Sequence, residues 1–559
     1  MRELRLVPAT ILVWAVTLII LLTREVAVTV PLIAVAVIGA VLIGQPGHAV
    51  LSGTVATAAA TVTGLRLRAV ETHHFGDYLR GVLSAPATRV SADTWLLRIR
   101  TQGYPVPVPT LLRGESPPDA AVAGAEVAVP LDVSESDRPG LGEVLASTTS
   151  VEVIGEVTGM AAVAAHVKEK FAAAVQQHVG ETSQGLFPGM VLGDTSLQDE
   201  TETQLYLDTG LSHLSAVSGA NVAIVTTVVV LACRLLTLGP RVQTVAAAGA
   251  LLGFVGLVGL EPSVLRAAVT GLVGLLAVIN SARMEPVHGL CLAIIVLLLY
   301  DSDLAAAYGF ALSVAATAGI VALSPLLVRA LAPTRWPEIL VRALAVAIAA
   351  DMVTMPLVAM MAGRVSLVSV LANVLASAAV APVTVLGLLA AGLCLLPGGL
   401  EVMPLKLAEP CTWWIHHVAQ WCAGLPAATI PTPTGWQGPV WVVLCWGWVL
   451  AALVAGHPVK VTLTLAGLML GSLVGGWLGE ADRAPAIPLE QLTTHVVVSE
   501  AMINPVPVGT EVIIVTDSSG SPRDTPSVTR DGIPVLYPHR DGPVTLHSDG
   551  RQHAGDGRF

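Results

Sequence analysis

The chain has 559 residues, of which 54% are hydrophobic and 12% charged, and its mean hydropathy is +0.74. This composition excludes an ordinary soluble globular protein and is typical of a protein built into a lipid bilayer. With 29 Lys and Arg residues against 40 Asp and Glu residues, the net charge of −11 provides no global attraction for nucleic acid. A polyanionic partner would therefore need a local path through the protein.

The first 64 residues are mostly apolar. Arg2 and Arg5 precede the apolar run Leu6–Leu22, and a second run, Val26–Ile43, follows without a small-residue cleavage pattern between them. We therefore expect a retained signal anchor. A weaker run at 49–63 is predicted to be a third span, because its crossing places most basic loop residues on the cytoplasmic side. The residues on which this depends are Arg234, Arg241, Arg283, Arg329, Arg335, Arg342 and Lys460.

Residues 65–160 form a polar stretch in which short alternating segments are separated by Pro and Gly turns. This period of two predicts a small extracytoplasmic β domain of the barrel or sandwich type. The segment Thr94–Arg100 places Trp95 with Arg98 and Arg100 on one predicted strand. These three could form a stacking patch for single-stranded DNA. The alternative is that Trp95 belongs to the core of the domain.

A helical connector at 161–211 and an apolar core at 212–479 follow. The spans predicted in the core are 213–236, 242–260, 263–280, 286–300, 304–331, 338–361, 365–380, 382–397, 436–455 and 459–478. The Trp-rich segment 405–424 is expected at the membrane interface. Residues 480–559 are predicted to be a short β-rich region outside the membrane. The expected fold is thus a polytopic α-helical membrane protein of about 11 to 13 spans with two small β regions.

Motifs for metal, nucleotide or redox chemistry are missing from the sequence. All six cysteines lie in or beside apolar segments, so no disulfide framework is implied. The sequence has no P-loop, no HExxH, no CxxC pair and no GxSxG elbow. We therefore expect no cofactor and no ATPase, protease or redox site.

The segment Thr209–Val222, TGLSHLSAVSGANV, opens a long apolar helix with polar residues. Polar groups are costly in a bilayer unless they meet water or one another, so His213, Ser218 and Asn221 indicate either a pathway or a hydrogen-bonded cluster between helices. Two other interpretations stay open. Ser218 and Gly219 could simply allow close helix packing, and His213 could be a satisfied interfacial histidine.

Two charges are predicted inside membrane spans. Arg266 lies about one turn into its span, where it could contact phosphate, reach the outer surface or pair with Glu261. Asp351 lies near the middle of its span and needs a partner, for which Arg266 and His213 are the candidates. A neutral Asp351 is the alternative, and a proton-coupled step is a further possibility.

Four segments resemble the ComEC family of competence DNA-uptake channels. GLSHLSAVSGANV at 210–222 is similar to the signature that begins the membrane core of that family, and PSVLRA at 262–267 to a later helix start. GFALS at 309–313, which ends at Ser313, and GLFPGMVLGD at 185–194 also match in order. The resemblance implies an OB-like extracellular domain and import of single-stranded DNA. It also implies a cytoplasmic helicase-type ATPase and an outer DNA receptor as partners.

The sequence departs from the family in several places. Asn221 stands where the family usually has His, and Ala311 replaces a common Gln. The last 80 residues contain no counterpart of the family's metallo-β-lactamase-like domain, because their histidines are scattered and lack an HxHxDH arrangement. These histidines are His495, His539, His547 and His553. We therefore expect no nuclease activity and no enzymatic function in this chain.

The resulting hypothesis is a multi-pass channel in the bacterial cell membrane for single-stranded DNA. Arg266 and backbone groups would meet phosphates at the outer mouth, and the segment from His213 to Asn221 would line a constriction. A secondary transporter of a small or anionic solute, with Arg266 and Asp351 as its binding pair, is an alternative. A non-transporting relative retained for assembly is another.

Overall fold

The structure is a computed structural model. It describes residues 4–454 apart from 92–93, 115, 119, 137–138, 143, 156, 280–284, 333–335 and 434, and beyond them 493–499, 502–503, 506, 510–517, 527–529, 533–542, 544–546 and 552–554. The chain divides into two compact units, Met1–Ala451 and Ala452–Phe559. The predicted span at 459–478 lies outside the described residues.

Three helices open the first unit: α1 (Val7–Thr23), α2 (Thr29–Leu42) and α3 (Pro46–Glu71). Helix α3 does not end near residue 64, where the β domain was predicted to begin, but continues to Glu71. Its last turns pack on the end of α11 (Pro286–Tyr300) and on Ser302, which follows α11. Thr63 Oγ1 lies 3.1 Å from Ser302 Oγ, and Arg66 donates to the carbonyl oxygens of Leu299 and Tyr300.

An eight-stranded sheet follows. Its strands are β1 (Tyr78–Leu83), β2 (Thr88–Ser91), β3 (Thr94–Arg100), β4 (Val108–Arg113), β5 (Glu126–Pro130), β6 (Asp132–Glu135), β7 (Val144–Thr148) and β8 (Glu152–Gly155). The strand order is β6-β7-β4-β3-β1-β5-β8, with β2 paired to β3. All pairs are antiparallel except β4 with β7.

The predicted patch of Trp95 with Arg98 and Arg100 is wrong. Leu97 and Ile99 are buried, whereas Arg98 and Arg100 are exposed. Because side chains alternate between the two faces of a strand, Trp95 shares the inward face with Leu97 and Ile99. There it packs against the apolar core that the sheet shares with α1 and α3. Trp95 is thus a core residue, and the two arginines lie on the opposite face.

The connector contains four helices: α4 (Gly159–His178), α5 (Glu181–Gln184), α6 (Leu186–Leu192) and α7 (Glu200–Asp208). The remaining helices of the unit are α8 (Gly219–Leu235), α9 (Pro240–Val258), α10 (Pro262–Ile279), α11 (Pro286–Tyr300), α12 (Tyr308–Leu331), α13 (Glu338–Ala362), α14 (Ser369–Leu393), α15 (Val402–Ala423) and α16 (Gln437–Val454). Two short strands, β9 (Arg364–Ser366) and β10 (Thr429–Pro431), pair antiparallel.

The two predicted spans 365–380 and 382–397 are a single helix, α14. Pro382 lies inside it, and the helix continues because neighbouring helices and side chains can stabilise a backbone that has lost one hydrogen bond. The Trp-rich segment 405–424 forms α15, which packs along α14. The pairing of β9 before α14 with β10 after α15 closes these two helices into an antiparallel hairpin.

Many of these helices are apolar. Among the described residues, five are long and apolar enough to cross a membrane: α3, α9, α12, α13 and α14. Shorter apolar helices of 10 to 17 residues occupy Val7–Thr23, Val26–Leu42, Asn221–Leu235, Pro262–Leu275 and Pro286–Tyr300. The described part of the chain is therefore a helical membrane protein with a β domain inserted after α3.

Five core helices form a closed ring. Helix α8 packs against α10, α10 against α12, α12 against α13, α13 against α14, and α14 against α8. Among the described residues, no two helices on opposite sides of this ring pack closely against each other. We call this arrangement the five-helix ring.

The second unit has its own small sheet of β11 (Thr494–Val497), β12 (Val512–Val515), β13 (Ser527–Val528) and β14 (Pro534–Leu536). β11, β12 and β14 are parallel, and β13 pairs antiparallel with β14. A further hairpin joins β15 (Val544–Leu546) and β16 (Gln552–Ala554). The core of the small sheet contains Ile513, Val515, Val535 and Tyr537.

Candidate translocation path

Four of the five ring helices run in the same direction. Consecutive core helices pack against one another as hairpins, so α8, α10, α12 and α14 are parallel and α13 is antiparallel to them. The starts of three of them meet: Ser263 Oγ of α10 donates to the Val217 carbonyl before α8, at 3.0 Å, and Arg266 Nε donates to Ser313 Oγ of α12, at 2.8 Å. Positive helix ends therefore gather on one side of the ring.

The chain before α8 descends beside α14 without forming an α-helix. The Gly210 carbonyl accepts a hydrogen bond from Asn373 near the start of α14, and Asn221 accepts one from Thr384 of the same helix. Asn373 and Thr384 are eleven residues apart, which corresponds to about 16 Å of helix. Irregular backbone at membrane depth is tolerated where it is buried in protein or lines a water-filled cavity. We call residues 211–218 the descending segment.

His213 belongs to the descending segment and is exposed to water although protein surrounds it. These two properties fit an imidazole in a concave, open part of the protein surface, which we call the recess. Its Nδ1 lies 3.2 Å from the Gly210 carbonyl oxygen. Of the residues singled out in the sequence motif, His213 is the one that the structure leaves open to solvent within the helical core.

Asn221 is a buried anchor. Its Nδ2 donates to the Met190 carbonyl of α6 at 2.7 Å, and its Oδ1 accepts from Ser218 and Thr384. With 3% of its surface exposed, the amide has no free face toward a path. The hydrogen-bonded cluster that the sequence left open as an alternative is therefore present here, and it ties α8, α6 and α14 together.

Arg266 is buried, with 8% of its surface exposed. Gly219 lies beside it, because a Cβ at Gly219 would be 3.4 Å from Arg266 Nη2. Glu261, one of the partners considered for this arginine, instead faces the charges of Lys168 and Arg98. No carboxylate among the described residues lies within 4 Å of the Arg266 guanidinium. Among the described residues, its side-chain hydrogen bond is to the neutral hydroxyl of Ser313.

The predicted partners of Asp351 are wrong. Neither Arg266 nor His213 contacts it; Ser369 Oγ at the start of α14 donates to Asp351 Oδ1 at 2.6 Å. The second oxygen, Oδ2, is buried and has no hydrogen-bond partner among the described residues. The sequence placed Asp351 correctly inside a span, but the choice of partner depended on the re-entrant start of α14, which no local pattern reveals.

Further hydroxyl groups follow the two motif residues of the ring. Thr270 lies one turn after Arg266, and Thr317 one turn after Ser313, and both are half-buried. Each hydroxyl donates to the carbonyl four residues before it. The spacing of four residues from the motif positions is a signal that sequence reasoning could have used to find them. Ser369 and Asn373 on α14 were also missed.

The outer face of the β domain carries a basic surface. Arg98 and Arg100 of β3 are exposed, and β1 beside it exposes Tyr78 and Arg80. Val82 of β1 pairs with Arg100, so the outward residues of both strands share one face. The approach of Arg98 to Glu261 brings this face close to the start of α10. We call Tyr78, Arg80, Arg98 and Arg100 the basic sheet face.

No grouping of three or more His, Cys, Asp or Glu side chains among the described residues could hold a metal ion. Residues 190–458 match the family model described as Competence protein. Comparison with curated proteins and with solved structures finds no significant match. The matched range contains the descending segment and all five helices of the ring. Residues 190–458 of this chain are therefore a domain of the ComEC competence family.

Proposed function

We propose that this protein imports single-stranded DNA across the bacterial cell membrane through the space inside the five-helix ring, without covalent chemistry. The competence-family domain supports a role in DNA uptake during competence. The ring, the descending segment and the water-accessible His213 support passage at this place. The domain spans residues 190–458, so this support concerns the helical core rather than the β domain.

Arg266 is the observation that carries the proposal. A buried guanidinium without a carboxylate partner is costly, and the cost falls when an anion from outside supplies the opposite charge. The phosphodiester group fits the arginine well, because its two oxygens can accept parallel hydrogen bonds from one guanidinium. The positive ends of α8, α10 and α12 beside it also favour a passing phosphate. Successive phosphates of one strand could replace each other at this position.

The basic sheet face supports an entry surface for the strand. Arg80, Arg98 and Arg100 would attract the phosphate backbone, and Tyr78 offers a ring on which a base can stack. This set replaces the patch built on Trp95, which lies in the core. Since Arg98 is close to Glu261 before α10, a strand leaving this face would arrive beside Arg266.

In the topology that we propose, the C-terminal region stays on the extracytoplasmic side of the membrane, as the sequence predicts. Helix α14 replaces two predicted spans. Helix α15, which was expected at the interface, returns along α14 and in this proposal crosses the membrane in place of the lost span. The count thus stays within the range of 11 to 13 spans. The energy for import would come from a cytoplasmic helicase-type ATPase, and an outer receptor would deliver the DNA.

A flux assay tests this function. Purified protein in liposomes should admit a labelled single-stranded oligonucleotide and exclude the matching duplex. Arg266→Ala should lower oligonucleotide flux at least tenfold, and Arg266→Lys should retain part of it. Arg234→Ala, an exposed arginine near the end of α8, is the matched control and should leave flux unchanged.

Two results would contradict the proposal. The first is a small-anion flux that depends on Arg266 in liposomes that admit no oligonucleotide, which would favour the secondary transporter. The second is an oligonucleotide flux that Arg266→Ala and Arg234→Ala reduce equally. Thermal unfolding of each variant in detergent shows whether a loss of flux comes from misfolding.

A further inference from the structure

Asp351 is a buried acid that the proposed passage of DNA does not use. Its Oδ1 accepts a hydrogen bond from Ser369, and its Oδ2 has no hydrogen-bond partner among the described residues. A buried oxygen of an ionised carboxylate is strongly disfavoured when neither a donor nor water reaches it. The cost is smaller when Oδ2 carries a proton, because the buried carboxyl group is then neutral.

Ser369 connects this acid to the descending segment. A Cβ at Gly210 would lie 2.6 Å from Ser369 Cβ, so the two residues are in tight contact. The carbonyl of Gly210 also lies against His213 Nδ1 and accepts from Asn373. A displacement of Ser369 therefore reaches the segment that carries His213 through one shared residue.

Helix α13 is able to bend next to Asp351. Pro356 lies inside the helix and has no N–H, so the carbonyl of Met352 has no partner four residues on. Prolines are a common cause of helix kinks. Asp351 thus lies five residues before the proline of α13 and is hydrogen-bonded to Ser369, the first residue of α14. A change at Asp351 can therefore affect both helices.

We propose that Asp351 is a proton-binding site that controls the width of the path, an inference that rests on the proposed function. The described conformation holds the proton on Oδ2 and keeps Ser369 packed against Gly210. When the proton leaves, the carboxylate must gain water or a new donor. That hydration separates the start of α14 from Gly210 and widens the recess at His213.

Few other ionisable groups surround this acid. Arg364 of β9 pairs with Asp208 at 3.2 Å, and His213 Nδ1 lies 3.2 Å from the carbonyl of Gly210, the residue that Ser369 contacts. Helix α14 contains no ionisable side chain, and α12 carries Tyr308 at its start and Arg329 near its far end. Helix α16, whose Trp446 contacts Met355 of α13, carries the thiol of Cys445. Glu338 and Arg342 pair with each other at the start of α13. His213 is therefore the other group whose titration must be separated from that of Asp351.

The pH dependence of oligonucleotide flux tests the proposal. Wild-type flux should rise with pH, and Asp351→Asn, which resembles the protonated acid, should stay at the acidic wild-type level at every pH. Ser369→Ala should move the midpoint of the profile to higher pH, because it removes the hydrogen bond that stabilises the carboxylate. His213→Asn should lower flux but keep the midpoint.

The matched control is Asp303→Asn, a buried acid outside the ring, which should keep the wild-type midpoint. An Asp351→Asn protein that retains the wild-type pH profile would overturn the proposal, as would a profile that follows His213 instead. A flux that changes with sodium concentration at constant pH and loses this dependence in Asp351→Asn would identify a metal cation as the ligand and would also overturn it.

Infrared spectroscopy separates this inference from the proposed function. A carboxylic acid band that disappears as the pH rises, and that is missing in Asp351→Asn, reports the proton in detergent without any DNA. If this band is present but no oligonucleotide flux is observed, only the proposal of DNA import is contradicted. Absence of the band at every pH would overturn the proton site even if DNA flux is observed.

Discussion

Asn221 shows how one amide can hold three parts of a membrane core together. It donates to Met190 of α6 and accepts from Ser218 and Thr384, so all strong hydrogen-bonding positions except one N–H are used. The family resemblance implies a His at this position, and a neutral imidazole has one donor and one acceptor. Asn supplies the same pair of functions in a smaller volume.

Replacing this amide should destabilise the fold rather than change selectivity. Asn221→Ala leaves the Met190 carbonyl unpaired in the interior, which costs about 1 to 3 kcal/mol. The unfolding temperature in detergent should fall accordingly. Ser377→Ala on α14, whose exposed hydroxyl bonds only to its own helix, should leave it unchanged. Equal unfolding temperatures for the two variants would show that the Asn221 cluster contributes nothing.

Asp303 joins the β domain to the loop between α11 and α12. Its Oδ1 accepts from the backbone N–H of Leu141 at 2.7 Å, and Arg24 donates to the carbonyl of the same residue. Burial raises the pKa of Asp303 to about 6. Because this pKa lies above the unfolded value, the stability linked to it is complete at acidic pH and is lost as the pH rises through 6.

Asp303→Asn should therefore remove a pH-dependent part of the stability. The variant should be more stable than the wild type at neutral pH by an amount on the order of 2 kcal/mol, and this difference should shrink as the pH falls below 6. Unfolding followed by circular dichroism at each pH provides the measurement. A difference in stability between the two proteins that stays constant from about pH 4 to about pH 8 would contradict the raised pKa of Asp303.

At the scale of elements, α12 and α13 approach each other closely at Gly319. Gly319 of α12 allows it, because a Cβ there would lie 2.5 Å from the Ala349 carbonyl oxygen and closer still to Val353. Small residues at such positions let membrane helices approach and pack by van der Waals contact. Helix α13 closes the ring between α12 and α14, so the ring depends on this approach.

Gly319→Ala should separate α12 from α13 and lower stability, whereas Gly249→Ala should not. Gly249 of α9 is a matched control, because an added Cβ there meets no atom within 4 Å. Alanine also has the better helix propensity, so the control should be neutral or slightly stabilising. Thermal unfolding and oligonucleotide flux should both fall for Gly319→Ala. An unchanged Gly319→Ala protein would show that this pair tolerates separation.

The elements also show where sequence reasoning was sufficient. Apolar runs predicted most core helices, and alternation predicted the strand Thr94–Arg100, because both signals are local. The division into spans 365–380 and 382–397 was wrong, since the packing that stabilises α14 around Pro382 is not local. The motif pointed to Arg266 and Ser313, which do meet. The contact of Ser369 with Asp351 was not predicted, because it depends on how the chain returns through β9 between α13 and α14.

At the scale of the whole molecule, the charge of the chain and the charge of the path have opposite signs. The net charge is −11, yet the helix starts at Ser263 and Ser313 surround a buried arginine. A repelling exterior combined with a local cationic entry would restrict DNA to one route. Added salt should therefore weaken oligonucleotide flux by screening the arginines of the exposed sheet face more than Arg266, which is buried.

The central claim is that water and DNA reach the interior of the five-helix ring. The most direct measurement is labelling of a His213→Cys protein, in a background without the six native cysteines, by a membrane-impermeant charged thiol reagent. We predict rapid labelling that a single-stranded oligonucleotide slows, and none for the control Leu389→Cys on the exposed side of α14. Equal labelling of the two positions, or none at His213, would contradict the claim.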